Sequence, residues 1–103
     1  MNELPAKDDF SKQLNTKFRV FFDGVTPTEV ELTEVTEVRR KPRFEAFTLV
    51  FCAPKNFPPQ QRLYHVENDN LGSMELFLVP VEENEKGYLF EALFNQKINA
   101  ASD

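Results

Sequence analysis

Two apolar-rich runs dominate the second half of the chain: Leu-Gly-Ser-Met-Glu-Leu-Phe-Leu-Val-Pro-Val at 71–81 and Gly-Tyr-Leu-Phe-Glu-Ala-Leu-Phe-Asn at 87–95. The polar stretch 82–86 between them predicts a hairpin of two long strands, with Asn84 and Gly87 supplying the turn chemistry. On the first strand Met74, Leu76 and Leu78 share one face, and Phe77, Val79 and Val81 share the other. A strand apolar on both faces is expected to be central and covered on both sides. On the second strand Tyr88, Phe90, Ala92 and Phe94 form an apolar face, while Leu89, Glu91, Leu93 and Asn95 are mixed.

The same period of two recurs upstream. Residues 17–22 set Phe18, Val20 and Phe22 against Lys17 and Arg19, with Phe21 interrupting the polar face. Asp23-Gly24 then signals a hairpin, and Pro27 extends the turn. The β-branched stretch 28–38 repeats Thr-Glu-Val three times, a spacing too short and irregular for a structural repeat. Val30 and Leu32 share a face, but Val35 and Val38 fall out of phase, so a bulge near Thr33 is expected to restore inward pointing and curl the strand. A helix over 29–38 is the rival reading. Residues 44–53 predict a strand with Phe47, Leu49 and Phe51 inward; 54–59 is a proline-broken loop; 61–67 is a shorter strand with Tyr64 and Val66 on one face. Near the start, Asp8 or Asp9 is expected to cap a short helix in which Phe10 and Leu14 make one apolar edge, placed to plug an open end.

These elements predict an all-β domain: a small six-stranded antiparallel, partly open β-barrel, or a two-sheet sandwich, with a short N-terminal helix. Residues 1–9 and 96–103 are expected to be tails flanking a single domain at 10–95. At 103 residues with eleven phenylalanines, the chain is long enough to bury an aromatic core without metal or disulfides. Cys52 is the single cysteine and lies inside an apolar run, which fits a small buried hydrophobe rather than a reactive thiol. The net charge of −5 argues against general nucleic-acid or anionic-membrane affinity. The start of the chain lacks the features of a signal peptide and no run is long enough to span a membrane, so a cytoplasmic location is expected.

Candidate chemistry is sparse. A Ser-His or Cys-His arrangement would have to use His65, the single histidine, and no nucleophile elbow surrounds any serine. One His and one Cys show no zinc spacing, and Glu67-Asn-Asp-Asn-Leu-Gly72 lacks the pattern of a calcium loop. The three glycines stand far apart, so no phosphate loop exists. No catalytic residue, cofactor or metal is expected. The glutamates at 82, 83 and 85 read as a solvated turn. What stands out is the basic turn at Arg39, Arg40, Lys41 and Arg43, four positive charges in five residues on an acidic body. These four are the candidate partner-binding residues.

The pattern resembles a small bacterial β-barrel domain family of unassigned function. The resemblance rests on Glu45-Ala-Phe-Thr-Leu-Val-Phe51, Leu63-Tyr-His-Val66, Leu71-Gly72, Glu75-Leu-Phe-Leu-Val-Pro-Val81, and Tyr88 with Glu91-Ala-Leu-Phe-Asn95. It implies the barrel and carries no catalytic residue, while Tyr88, Glu91 and Asn95 stand out in it as polar groups on one strand. The function expected is a non-enzymatic protein-binding or assembly module, docking by a sheet edge or loop surface to another protein. An alternative is a barrel that carries a small apolar ligand in a mouth lined by some of Phe21, Phe44, Phe57 and Tyr64. A hydrolase or transferase using His65 with Tyr64 or Asp69 is the third.

Overall fold

Period-two alternation becomes six antiparallel strands in a computed structural model, which describes residues 5–22, 26–41 and 44–97, the side chains at 39, 40, 44, 96 and 97 apart. The elements run α1 (Lys7–Ser11), β1 (Lys17–Phe21), β2 (Pro27–Lys41), β3 (Phe44–Pro54), β4 (Arg62–Asn68), β5 (Gly72–Asn84) and β6 (Gly87–Lys97). They form one ring in the order β1-β2-β3-β6-β5-β4, closed by pairing of Arg19, Val20 and Phe21 with Glu67, Val66 and His65. The all-β barrel is therefore the fold, and neither a two-sheet sandwich nor a helix over 29–38 describes it. The Asp23-Gly24 turn, Arg43 and residues 98–103 of the expected C-terminal tail lie outside the described residues, whereas 96–97 continue β6.

Inward-facing positions are those that alternation picks out: Phe18, Val20, Val30, Leu32, Phe47, Leu49, Phe51, Tyr64, Val66, Leu76, Leu78 and Phe90 are all buried. β2 stays in phase because its register against β3 shifts between Leu32 and Glu34, which makes Thr33 the extra residue of a bulge, and its hydroxyl donates to the Val50 carbonyl at 3.2 Å. A second shift between Glu37 and Arg39 follows.

The interior is filled at both ends. At one end α1 delivers Phe10, fully buried, against Phe94 (ring centroids 5.2 Å), Phe47 (6.0 Å) and Phe18 (6.5 Å). The helix starts earlier than expected, at Lys7, with Ala6 rather than an aspartate at its N-cap. Asp9 instead accepts the Ala6 N–H at 3.0 Å, and the Lys7 N–H donates to the buried Glu45 carboxylate on β3 at 3.1 Å. Both bonds satisfy helix-start amides that have no partner within the helix. Leu14 lies past the helix and is exposed, so the expected Phe10–Leu14 edge does not form. At the other end Phe57, Tyr64 and Phe90 pack edge to face or tilted, and the Tyr64 hydroxyl donates to the Gln60 carbonyl at 2.6 Å. The Arg62 guanidinium covers Phe22 and Tyr64 at 5.0 and 5.5 Å from their ring centres.

β5 corrects one expectation. Its face of Met74, Leu76 and Leu78 is buried, but Phe77 and Val81 on the other face are exposed. In a closed ring every strand has one face inside and one outside, so a second apolar face has no layer to lie under unless something else covers it.

Candidate docking site

That uncovered face leads to a break in the sheet. β5 pairs with β4 over its first half, from Gly72↔Asn68 to Leu78↔Arg62, and with β6 only over its second half, from Val79↔Glu91 to Asn84↔Gly87. β6 meanwhile stays paired with β3 along its whole length, from Pro54↔Gly87 to Phe44↔Lys97. Past Val79 the two strands part. Among the described residues nothing pairs with the β5 side of β6 over residues 92–97. The ring is closed, but β5 and β6 pair along only part of their length and leave a seam beside the end of the three-stranded sheet β2, β3 and β6.

A groove of about 360 Å³ occupies the seam, lined by Leu63, Glu75, Phe77, Leu93 and Asn95 around a floor of Leu76, Ala92 and Phe94. Leu93 is 66% exposed, Leu63 58% and Phe77 50%, and Leu63 faces Phe77 directly across β4 and β5. Large apolar side chains scattered singly are ordinary; three around one groove beside an unpaired strand edge are not. In the sequence Leu93 lies on a mixed face of β6 beside Glu91 and Asn95, and the signal of an exposed apolar patch is the doubly apolar β5.

Of the four basic residues, Lys41 is exposed at the end of β2. Arg39 and Arg40 are placed by register, opposite Ala46 and Glu45 of β3, and Arg43 falls outside the described residues. Since Glu45 pairs onward with Gln96, and Phe44 joins Lys41 to Lys97, the basic end of β2 and the free end of β6 lie at the same level of one sheet.

Of the aromatic residues named for a ligand mouth, Phe57 and Tyr64 pack together and plug one end of the barrel, Phe21 lies on the outside with its ring 5.4 Å from that of His65, and the side chain of Phe44 lies outside the described residues. Tyr64 and His65, as neighbours on a strand, point to opposite faces, and the Asp69 carboxylate accepts from Arg19 at 3.0 Å. Tyr64 therefore does not meet His65, while Asp69 is joined to His65 through Arg19 and Glu67. Among the described residues no group of three or more His, Cys, Asp or Glu is arranged to hold a metal. At the turn 68–71 the buried Asn68 uses its carboxamide oxygen to accept the amides of Asn70 and Leu71, at 2.8 and 3.0 Å, so the asparagine-rich turn is built for its own backbone.

His65 sits on the outer surface between two carboxylates, Nδ1 at 3.0 Å from Glu75 and Nε2 at 3.2 Å from Glu67. Hydrogen bonding to Glu75, then to Glu67, raises its pKa above the ordinary value. Because the folded value is the higher one, the contribution to stability is complete below the ordinary imidazole range and disappears as pH climbs through the raised value. Titration of the ring by NMR is expected to show this elevation, with Glu75→Gln lowering it more than Glu67→Gln. An ordinary pKa in the wild-type protein would mean that the two carboxylates do not hold the ring in solution.

No helix among the described residues is long and apolar enough to cross a membrane. No curated protein and no solved structure matches the chain. One family's model does match, over residues 5–94, which takes in α1, all of β1 to β5 and β6 as far as Phe94; the chain belongs to that family, described as a domain of unknown function (DUF6916).

Proposed function

We propose that this barrel is a non-enzymatic protein-binding or assembly module of the cytoplasm, docking a protein partner along the open edge of β6. The observation that carries the reading is the coincidence of a strand edge at 92–97 that is unpaired among the described residues with the exposed apolar side chains of Leu63, Phe77 and Leu93. Sheets ordinarily guard open edges with charge, proline or bulges. β2 does so beyond Leu32, where two bulges and the run from Glu34 to Lys41 disrupt and charge the edge. β6 carries none of these from Ala92 to Asn95. An edge left flat and apolar accepts another strand through main-chain hydrogen bonds, with neighbouring side chains giving selectivity. The basic residues at the end of β2 lie close enough by register to steer an acidic surface onto that edge.

The test is capture from extracts of the source cells with three baits: wild type, Leu93→Lys, and reversal of Arg39, Arg40, Lys41 and Arg43 to glutamate. A stoichiometric protein held by the wild type, lost with Leu93→Lys and weakened by the charge reversal, is expected, with the far-ultraviolet circular dichroism unchanged. Equal retention by wild type and Leu93→Lys would remove the edge from the proposal, and no retained protein with any bait would remove the module reading itself.

A further inference from the structure

Among the described residues, the seam that closes the barrel is its shortest ladder: β1 meets β4 only through Arg19↔Glu67, Val20↔Val66 and Phe21↔His65. On its inner side Val20 and Val66 are buried, and on its outer side the two flanking pairs hold three charged or titratable groups and one aromatic ring. We propose that His65 is a proton-operated latch on this seam. With the imidazole charged, β1 is held against β4; with it neutral, that ladder opens locally while β1 stays on β2 and β4 stays on β5.

The imidazole is clamped from two strands, Nδ1 at 3.0 Å from Glu75 of β5 and Nε2 at 3.2 Å from Glu67 of β4. A neutral imidazole carries one N–H and donates to one of these carboxylates, leaving its other nitrogen lone pair against the second; only the protonated form donates to both. The same imidazole reaches across the seam to the Phe21 ring of β1, 5.4 Å away, a contact that gains strength when the imidazole is a cation. Glu67 lies 3.7 Å from Arg19 of β1 and accepts the Ser73 hydroxyl of β5 at 3.4 Å, and Arg19 donates to Asp69 beyond β4 at 3.0 Å.

With His65 charged, the signs alternate from Glu75 through His65, Glu67 and Arg19 to Asp69, a chain that crosses from β5 over β4 to β1. Loss of the proton leaves three carboxylates sharing one guanidinium, and Glu29, opposite Arg19 on β2, competes for that guanidinium from the side away from β4. Each contact is modest, since the side chains of Glu67, His65 and Glu75 are 33%, 40% and 58% exposed. That scale suffices to shift a ladder of three pairs, and it leaves in place β4 on β5, paired from Arg62↔Leu78 to Asn68↔Gly72, and β1 on β2, paired from Lys17↔Glu31 to Phe21↔Pro27. The latch is therefore closed on the acid side of the His65 titration and opens as pH rises through it.

Hydrogen exchange of the full chain by NMR, from about pH 5 to about pH 9, tests the latch. Protection is taken against the unfolded-peptide rate at each pH, and His65 is titrated on the same sample. The amides of residues 19–21 and 65–67 that cross the β1–β4 ladder should be less protected than those between β3 and β6 and insensitive to low urea, as local opening requires. Their protection should fall about two- to fivefold, the scale of an exposed ion pair, as His65 loses its proton. His65→Gln should hold, at every pH, the level that the wild type reaches at high pH, and Glu75→Gln should move the fall to lower pH. A wild-type profile that does not follow the His65 titration, or one that survives His65→Gln, overturns the latch. Cross-seam amides with the protection and urea dependence of the β3–β6 amides overturn it as well, because the seam would then open only with the whole barrel.

Discussion

Replacing Phe10 with alanine is expected to cost the domain about 3–5 kcal/mol, the range for truncating a fully buried aromatic side chain. For a domain of this size such a loss is a large fraction of the whole margin of stability. Phe10 has no solvent exposure and meets three other rings, Phe18, Phe47 and Phe94, which come from β1, β3 and β6. It is also the only buried residue of α1, a helix of five residues. Five residues are too few to hold a helix by backbone hydrogen bonds alone, so α1 persists because its ring is anchored. Truncation therefore removes an aromatic from the core and loosens the segment whose Lys7 N–H donates to buried Glu45. Urea unfolding should show a lower midpoint, and Phe10→Leu, which keeps much of the volume, should fall between the two. A cost for Phe10→Ala below about 1 kcal/mol, the scale of an exposed substitution, would show that α1 is not a structural part of the barrel.

The barrel was legible from the chain because its signals are local and redundant. Alternation in 17–22, 44–53, 61–67 and 87–95 assigns inside and outside without knowledge of neighbours, and the phase slip between Leu32 and Val35 announced the Thr33 bulge before the register showed it. Asn84 did what its position implied, accepting the amides of Lys86 and Gly87 at 2.9 and 3.1 Å. The groove between β5 and β6 is hidden for the opposite reason. Where β5 leaves β6 for β4 is a property of the closed ring, decided by which strands meet across it, and no residue at Val79 or Glu91 marks the place. Doubly apolar β5 reads as covered on both sides because hydrophobicity alone does not distinguish a buried face from an exposed one. Glu45 was missed similarly: a carboxylate in a strand reads as solvated, and only the fold brings the Lys7 amide to it. Of the basic turn, the most conspicuous feature of the sequence, Arg39, Arg40 and Lys41 are placed by register opposite Ala46, Glu45 and Phe44, level with the end of β6.

The second large effect concerns Gly87. Its alanine variant is expected to lose about 2–5 kcal/mol, combining strain at a positive φ with overpacking against main chain. The backbone at Gly87 has φ +151°, and a Cβ placed there would stand 1.9 Å from the Ala53 carbonyl oxygen and about 3 Å from the carbonyl carbons of Ala53 and Pro54. Those atoms belong to the strand with which Gly87 is paired, through Pro54↔Gly87 and Ala53↔Tyr88, so no flexible side chain can yield in their place. Relief requires β3 and β6 to separate where Phe51 and Phe90 pair across them in the core. Gly72 separates the two contributions. It too has a positive φ, +86°, yet a Cβ there meets nothing within 4 Å. Gly72→Ala should therefore cost only the conformational part, about 1–2 kcal/mol. Chemical denaturation of the two variants side by side measures the difference. Equal losses would show that β6 can shift away from Ala53 at little cost, whereas a clearly larger loss at Gly87 would identify the close approach of β3 as the reason that this hairpin ends in glycine.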